Sequence, residues 1–180
     1  TYVPGFHVAT FEEAHRAAAL LKGRVFSLRS AETAVVQHGV TCRFLVEEDD
    51  ARSAWEILND HCAPAIAQGV RLMHAQLKYS LLEGLTDPGH VEPALCDSFA
   101  EVQLRFIVPG TQRSRFVQVA KGRHWDAFDD LTADPPGSGI GMLLRCRLGP
   151  SPQLGEMDSQ VHEILAATAS ATTAEVVEIK

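Results

Sequence analysis

A chain of 180 residues, 46% hydrophobic and 22% charged, has the composition of a globular protein, which excludes a collagen-like fibre, a long disordered tail and a disulfide-stapled miniprotein. Sixteen Lys and Arg against 23 Asp and Glu leave a net charge of −7, so the excess of cations that a general nucleic-acid surface needs is missing. No run approaches the roughly 18 apolar residues of a membrane span, and Thr1-Tyr2-Val3-Pro4-Gly5 has neither region of a signal peptide.

Residues 5–9 read as a short extended piece. Thr10-Phe11-Glu12-Glu13 is a capping box, in which the Thr10 hydroxyl accepts from the Glu13 amide and the Glu13 carboxylate reaches back. It predicts a helix with Phe11, Ala14, Ala18 and Leu21 on one side, closed by Gly23 as the left-handed residue. Residues 24–29 read as a strand. Residues 33–37 and 40–47 read as two more, joined by a tight turn at His38-Gly39. Glu48-Asp49-Asp50 places acids at the start of a helix striped by Ala51, Ala54, Trp55 and Leu58 and ending near Asp60. Ile66, Val70, Met73, Leu77 and Leu81 recur at helical spacing and predict a further helix over 64–83, stopped by Gly84.

In the second half, Val102, Leu104, Phe106 and Val108 alternate with polar residues as a half-buried strand. A turn at 109–112 leads to a second hairpin strand over 115–120. Residues 124–131 read as a short helix and 134–139 as a Pro/Gly loop. Ile140, Met142, Leu144, Cys146 and Leu148 make a central strand, followed by a helix over 155–168 and an extended piece over 175–179. The pattern predicts an α+β fold, helices packed on one face of a largely antiparallel or mixed sheet and open to two ferredoxin-like halves. It is taken as a single domain over 1–180, with a sub-boundary near 86–90 between an α-rich half, 1–85, and a β-rich half, 91–180. The opening strand, the Phe11-Glu12-Glu13-Ala14 helix, the strands after it and the acid-led helix at Glu48 resemble small ferredoxin-like regulatory modules. Likeness at the level of a fold transfers no function.

Eight histidines and four cysteines, Cys42, Cys62, Cys96 and Cys146, are the first candidates for chemistry. No two histidines stand at i, i+4, there is no H-E-x-x-H, and no C-x-x-C occurs, so neither a metal nor a cofactor is expected. Four separate reduced thiols fit a cytoplasmic protein. Asp60-His61-Cys62 brings three ligand types together in sequence, but adjacent side chains diverge in any regular element. His74 on its helix and Cys96-Asp97 likewise lack a partner at a useful spacing.

His124-Trp125-Asp126 is more informative, because a general base needs a carboxylate to orient it and a shaped wall beside it. The plain alternative is that Trp125 and Phe128 anchor a short surface helix while His124 and the acids are solvated. Gly137-x-Gly139-x-Gly141 has neither a dinucleotide fingerprint nor a P-loop, and it precedes a strand, not a helix. Arg105, Arg145 and Arg147 fall on the polar sides of two strands, with Arg113 and Arg115 near a turn. If the strands share a sheet, the guanidinium groups converge to hold a carboxylate, a phosphate or an acidic partner.

Two functions follow as expectations. The first is a non-catalytic binding or assembly subunit whose partners are protein subunits, in a homo-oligomer or a larger complex. The alternative is a small cofactor-independent hydrolase or isomerase acting on an anionic small molecule. In that reading His124 is the base, Asp126 its orienter, Arg105, Arg145 and Arg147 the clamp, and Gly137 and Gly139 part of a lid.

Overall fold

In the computed structural model, which describes residues 5–42, 54–76, 100–148 and 154–179, the capping box at Thr10 opens the first helix. Thr10 is extended, at φ −133° and ψ 159°, and its hydroxyl accepts from Glu13 N at 3.1 Å. The helix α1 (Phe11–Leu21) lies between β1 (Gly5–Val8) and β2 (Arg24–Ser30), and is followed by β3 (Val36–Thr41), α2 (Ala54–Ala67) and β4 (His74–Gln76). These elements belong mainly to the first of two units, residues 1–27 with 37–93, while residues 28–36 and 94–180 form the second. The boundary expected at 86–90 lies outside the described residues.

In the first unit the strands run in the order β4-β1-β3-β2. β1 pairs antiparallel with β3 and with β4. Phe6, Val8, Val40 and Cys42 meet Ala14, Ala17 and Leu21 from α1 and Leu58, Cys62 and Ala65 from α2. The i, i+3, i+7 and i, i+4, i+7 spacings of the two helical sets put each on one stripe, so one sheet face receives both helices.

Three expectations for this unit are corrected. The left-handed residue ending α1 is Lys22, at φ 52°, with Gly23 just beyond it. The strand β3 runs through His38-Gly39, and the turn falls earlier: Ser30 N donates to Val35 O at 2.9 Å and Ala34 takes φ 58°. Gly39 is a glycine of close approach, since a β-carbon there would collide with Phe6 O and the Phe26 ring. Finally, α2 continues past Asp60 to Ala67, and no helix spans 68–76. Gly69 at φ 78° breaks the period, Val70 turns into the core, and 74–76 pair with β1 instead. The expected acid-led start at 48–50 and the segment 77–85 lie outside the described residues.

The second unit contains β5 (Ala100–Pro109), a short 3-10 turn (Gly110–Gln112), α3 (Arg113–Lys121), β6 (Asp126–Asp130), β7 (Gly139–Leu148), α4 (Leu154–Ala171) and β8 (Glu175–Ile179). Its strand order is β6-β7-β5-β8, and Leu28–Ser30, the end of β2, pair with β6. A long ladder joins β5 to β7, from Ala100 opposite Leu148 to Pro109 opposite Gly139. Val102, Leu104, Phe106, Val108, Met142, Leu144 and Cys146 project from it onto Phe116 and Ala120 of α3 and Ile164 of α4.

Two further expectations are overturned here. Residues 115–120 are helix, because Phe116 and Ala120 at i, i+4 both reach the core, Phe116 edge-on to Phe106 at 4.9 Å. The alternation of Phe116, Gln118 and Ala120 with Val117 and Val119 fits a strand equally well over so short a window. Residues 126–130 are a strand and not a helix. β6 is held between β2 and β7 with Ala127, Phe128, Asp129 and Asp130 all buried, so no polar side remains to show a period of two.

Each unit thus repeats β-α-β-β-α-β, with the fourth strand beside the first and the third between first and second, the ferredoxin-like order. Every strand pair with an assigned register is antiparallel, and the fold is α+β with helices on one face of each unit's strands. Among the described residues no helix is long and apolar enough to cross a membrane. Gly39→Ala should lower the urea midpoint by the equivalent of about 1–3 kcal/mol, the usual cost of forcing atoms into a packed site. Gly155→Ala, where a β-carbon meets nothing within 4 Å, should leave stability unchanged or raise it by up to about 1 kcal/mol.

Candidate functional site

Strand alternation builds the candidate site. Residues opposite one another in the β5–β7 ladder point the same way, so Glu101, Gln103 and Arg105 share a face with Arg147, Arg145 and Leu143. This face is the reverse of the one that packs under α3 and α4. β6 adds Asp126 opposite Arg145 and Phe128 opposite Leu143. The three arginines do converge on one side of one sheet.

Each of them meets carboxylates of the same chain. Arg105 is ion-paired with Asp130 and, at 3.2 Å through Nε, with Glu178 of β8. Arg145 stands 3.8 Å from both Glu101 and Asp126, its guanidinium 4.5 Å above the Phe128 ring. Arg147 Nε donates to Glu101 Oε2 at 3.5 Å, and Gln103 donates to the other oxygen of that carboxylate. Asp130 also accepts from Thr132 N at 3.1 Å and from Thr132 Oγ1 at 2.7 Å. The arrangement is an alternating ladder of charge in which guanidinium groups already have their counter-ions.

On the opposite, helix-bearing face lies a cluster that the sequence did not single out. Asp129, with its side chain 2% exposed, receives Arg29 through Nε and Nη2 at 2.9 and 2.8 Å, and Arg113 through Nε and Nη2 at 2.7 and 3.0 Å. Burial alone would push this carboxyl up. The hydrogen bonds from Arg113 and Arg29, with their charges, outweigh it and hold Asp129 below the usual carboxylate range. The same contact raises the Arg113 guanidinium. The one sequence signal was an Asp-Asp pair following Trp125, Ala127 and Phe128: acids inside a buried run must find cations.

The other candidates are dispersed. His124 is exposed at the turn into β6, with its backbone left-handed at φ 61°. Asp126, the first residue of β6, faces Arg145. Gly137, at φ 67°, lies in the loop before β7, and Gly139 begins that strand opposite Pro109. Six residues at about 3.3 Å each put Gly139 roughly 20 Å along β7 from Arg145, so the glycine loop and His124 occupy opposite ends of the β6–β7 pair. Cys42 and Cys62 are buried in the first core, and burial pushes both thiols up to about 11. Burial, followed by Asp126 and Glu156, raises Cys146 as well, which leaves all three weak nucleophiles at neutral pH. Cys96-Asp97 lies outside the described residues, and the expected helical setting of His74 is a strand. The Ser27 hydroxyl and His38 Nδ1 are hydrogen-bonded at 2.9 Å, yet Ser27 is buried and offers a substrate no approach. Among the described residues no three His, Cys, Asp or Glu side chains stand together as metal ligands.

No family model matches the chain, and no curated protein is similar to it in sequence. Among solved structures it is similar to an unknown protein from Galdieria sulphuraria, at 11% identity over 99% of this chain and 96% of that one, with a TM-score of 0.28. A putative monooxygenase from Lactobacillus acidophilus NCFM gives 10% identity over 99% and 91%, with a TM-score of 0.31. CrmK, a flavoenzyme involved in shunt product recycling in caerulomycin biosynthesis, gives 11% over 94% of this chain and 41% of that one, with a TM-score of 0.29. Likeness at this level carries no argument about activity.

Two outcomes follow from the charges. Asp129→Asn should cost about 2–3 kcal/mol at neutral pH, where an ionised acceptor of several charged hydrogen bonds is lost. Because the folded-state value is depressed, the contribution of Asp129 is complete above its unfolded value of about 4 and disappears as pH falls through the lower folded value. The gap between wild type and variant in denaturant titrations should therefore be constant from neutral pH down to about 5 and close below about 4. Arg145→Gln should destabilise more than Arg147→Gln, because the Arg145 side chain is 16% exposed and packed on Phe128 whereas Arg147 is 49% exposed. Thermal midpoints of the two variants check the order.

Proposed function

We propose that this chain is a non-catalytic binding or assembly subunit that works through protein partners, in a homo-oligomer or a larger complex, in a reducing cytoplasmic setting. The observation that carries the reading is the edge strand β8, where Val176, Val177 and Ile179 stand 45%, 60% and 54% exposed. Three large apolar side chains on five residues are the kind of surface that a partner covers. The charge ladder supports the same reading, since Arg105, Arg145 and Arg147 are engaged by Asp130, Glu178, Glu101 and Asp126. The free thiols Cys42, Cys62 and Cys146 support the reducing setting.

The alternative, a cofactor-independent hydrolase or isomerase acting on a small anion, draws on the left-handed backbone of His124, a conformation that clusters at functional sites. In that reading Asp126 would orient His124 while also facing Arg145.

Size-exclusion chromatography with light scattering, over a wide range of concentration, tests the assembly reading. The expected mass is a multiple of 19.6 kDa, and Val177→Asp with Ile179→Asp should return it to one chain with little loss of stability, as exposed substitutions usually allow. A well-folded species of one chain at every concentration would exclude the homo-oligomer and remove the main support for assembly.

A further inference from the structure

We infer that the helix-bearing face of the second unit docks a second copy of this chain, the basic α3 side of each copy lying against the acidic α4 of the other. The inference rests on the assembly reading above and names its surface and its occupant. From Thr111 to His124 the chain has no acid but carries Arg113, Arg115, Lys121 and Arg123. Arg113 is taken by Asp129, and Lys121 pairs with Glu32 at 2.9 Å. Arg115 and Arg123 are exposed and have no carboxylate partner among the described residues. The helix α4 has no Lys or Arg. Its Asp158 pairs with His162 at 3.3 Å, whereas Glu156 and Glu163 are exposed and have no cation partner among the described residues.

The two helices are neighbours on the same face of the same strands. That face therefore has a positive side and a negative side, each with charge that no described residue matches. A two-fold axis brings surface i of one copy to surface j of the other and j to i, so a polarised face satisfies itself twice over. Apolar contact is available on the same face: register puts Val176 opposite Phe106 and Ile179 opposite Leu104, both of which point to the helices.

Pairing of β8 edge to edge is the competing route to a dimer, and the strand is built against it. The register shifts between Arg105 and Phe106, leaving Val177 as the extra residue of a bulge, and Glu175 and Glu178 flank it. Bulges and charges on an edge strand are devices that discourage added strands. The apolar residues of β8 are left to a partner that approaches over the helix face.

Charge reversal tests this directly. One variant carries Arg115→Glu and Arg123→Glu, the other Glu156→Lys and Glu163→Lys; circular dichroism establishes that each is folded, and Gln versions replace any that is not. Each variant alone should associate more than about tenfold more weakly than wild type, because like charges then face each other. An equimolar mixture should recover a two-chain species, since the reversed α3 of one variant faces the reversed α4 of the other. Should wild type associate while the variants do so unchanged, or should the mixture fail to recover, this surface is wrong and the assembly reading stands. Should wild type never associate, this surface and the homo-oligomer are both overturned.

Discussion

A carboxylate with no access to water cannot stay ionised alone, and Asp129 is ionised because two guanidinium groups close on it. Arg29 comes from the end of β2 and Arg113 from the first turn of α3, so one side chain of β6 fixes a strand and a helix at once. The next residue repeats the device on the other face, where Asp130 takes Arg105 of β5 and, through Thr132, holds the turn that follows β6. Two consecutive acids on opposite sides of one buried strand thus anchor both faces of the second unit.

This arrangement governs what the charged groups can do. A guanidinium that clamps a substrate must exchange water for the ligand, whereas here the exchange has been made with the chain's own acids during folding. The ladder Glu101, Arg147, Arg145, Asp126 is therefore part of what holds the sheet face, and the Arg145 guanidinium stands over the Phe128 ring. The side chains left without such neighbours among the described residues are of another kind: the valines and isoleucine of β8, and the separated charges of α3 and α4.

Where one local signal determined the backbone, the sequence was legible. Thr10 caps α1 as the box requires, although among the described residues Glu13 Oε2 has no hydrogen-bond partner. The strands at 101–108 and 140–148 follow their alternation because one side of each faces the core. Legibility failed where tertiary packing outweighed the local pattern. Gly39 looks like a turn and is a place where Phe26 and Phe6 press in; Gly69 looks tolerable in a helix and ends one. At 126–130 burial on both sides erased the period, and that same burial hid the Asp129 cluster, whose partners lie 100 and 16 residues away. Convergence of Arg105, Arg145 and Arg147 was legible from their parity along two strands. Their counter-ions were not, because register between strands is set by the whole core.

The arginines of the helix-free face are engaged by the protein's own carboxylates. Thermal unfolding in rising concentrations of phosphate and of small carboxylates, for wild type and for the variant with Arg145→Gln and Arg147→Gln, measures this most directly. Guanidinium groups already engaged by the chain's own acids should give shifts that follow ionic strength alone and are parallel in the two proteins. A saturable stabilisation by one anion, of about 2.7 kcal/mol when it exceeds its Kd by ~100-fold, present in wild type and abolished in the variant, would contradict it.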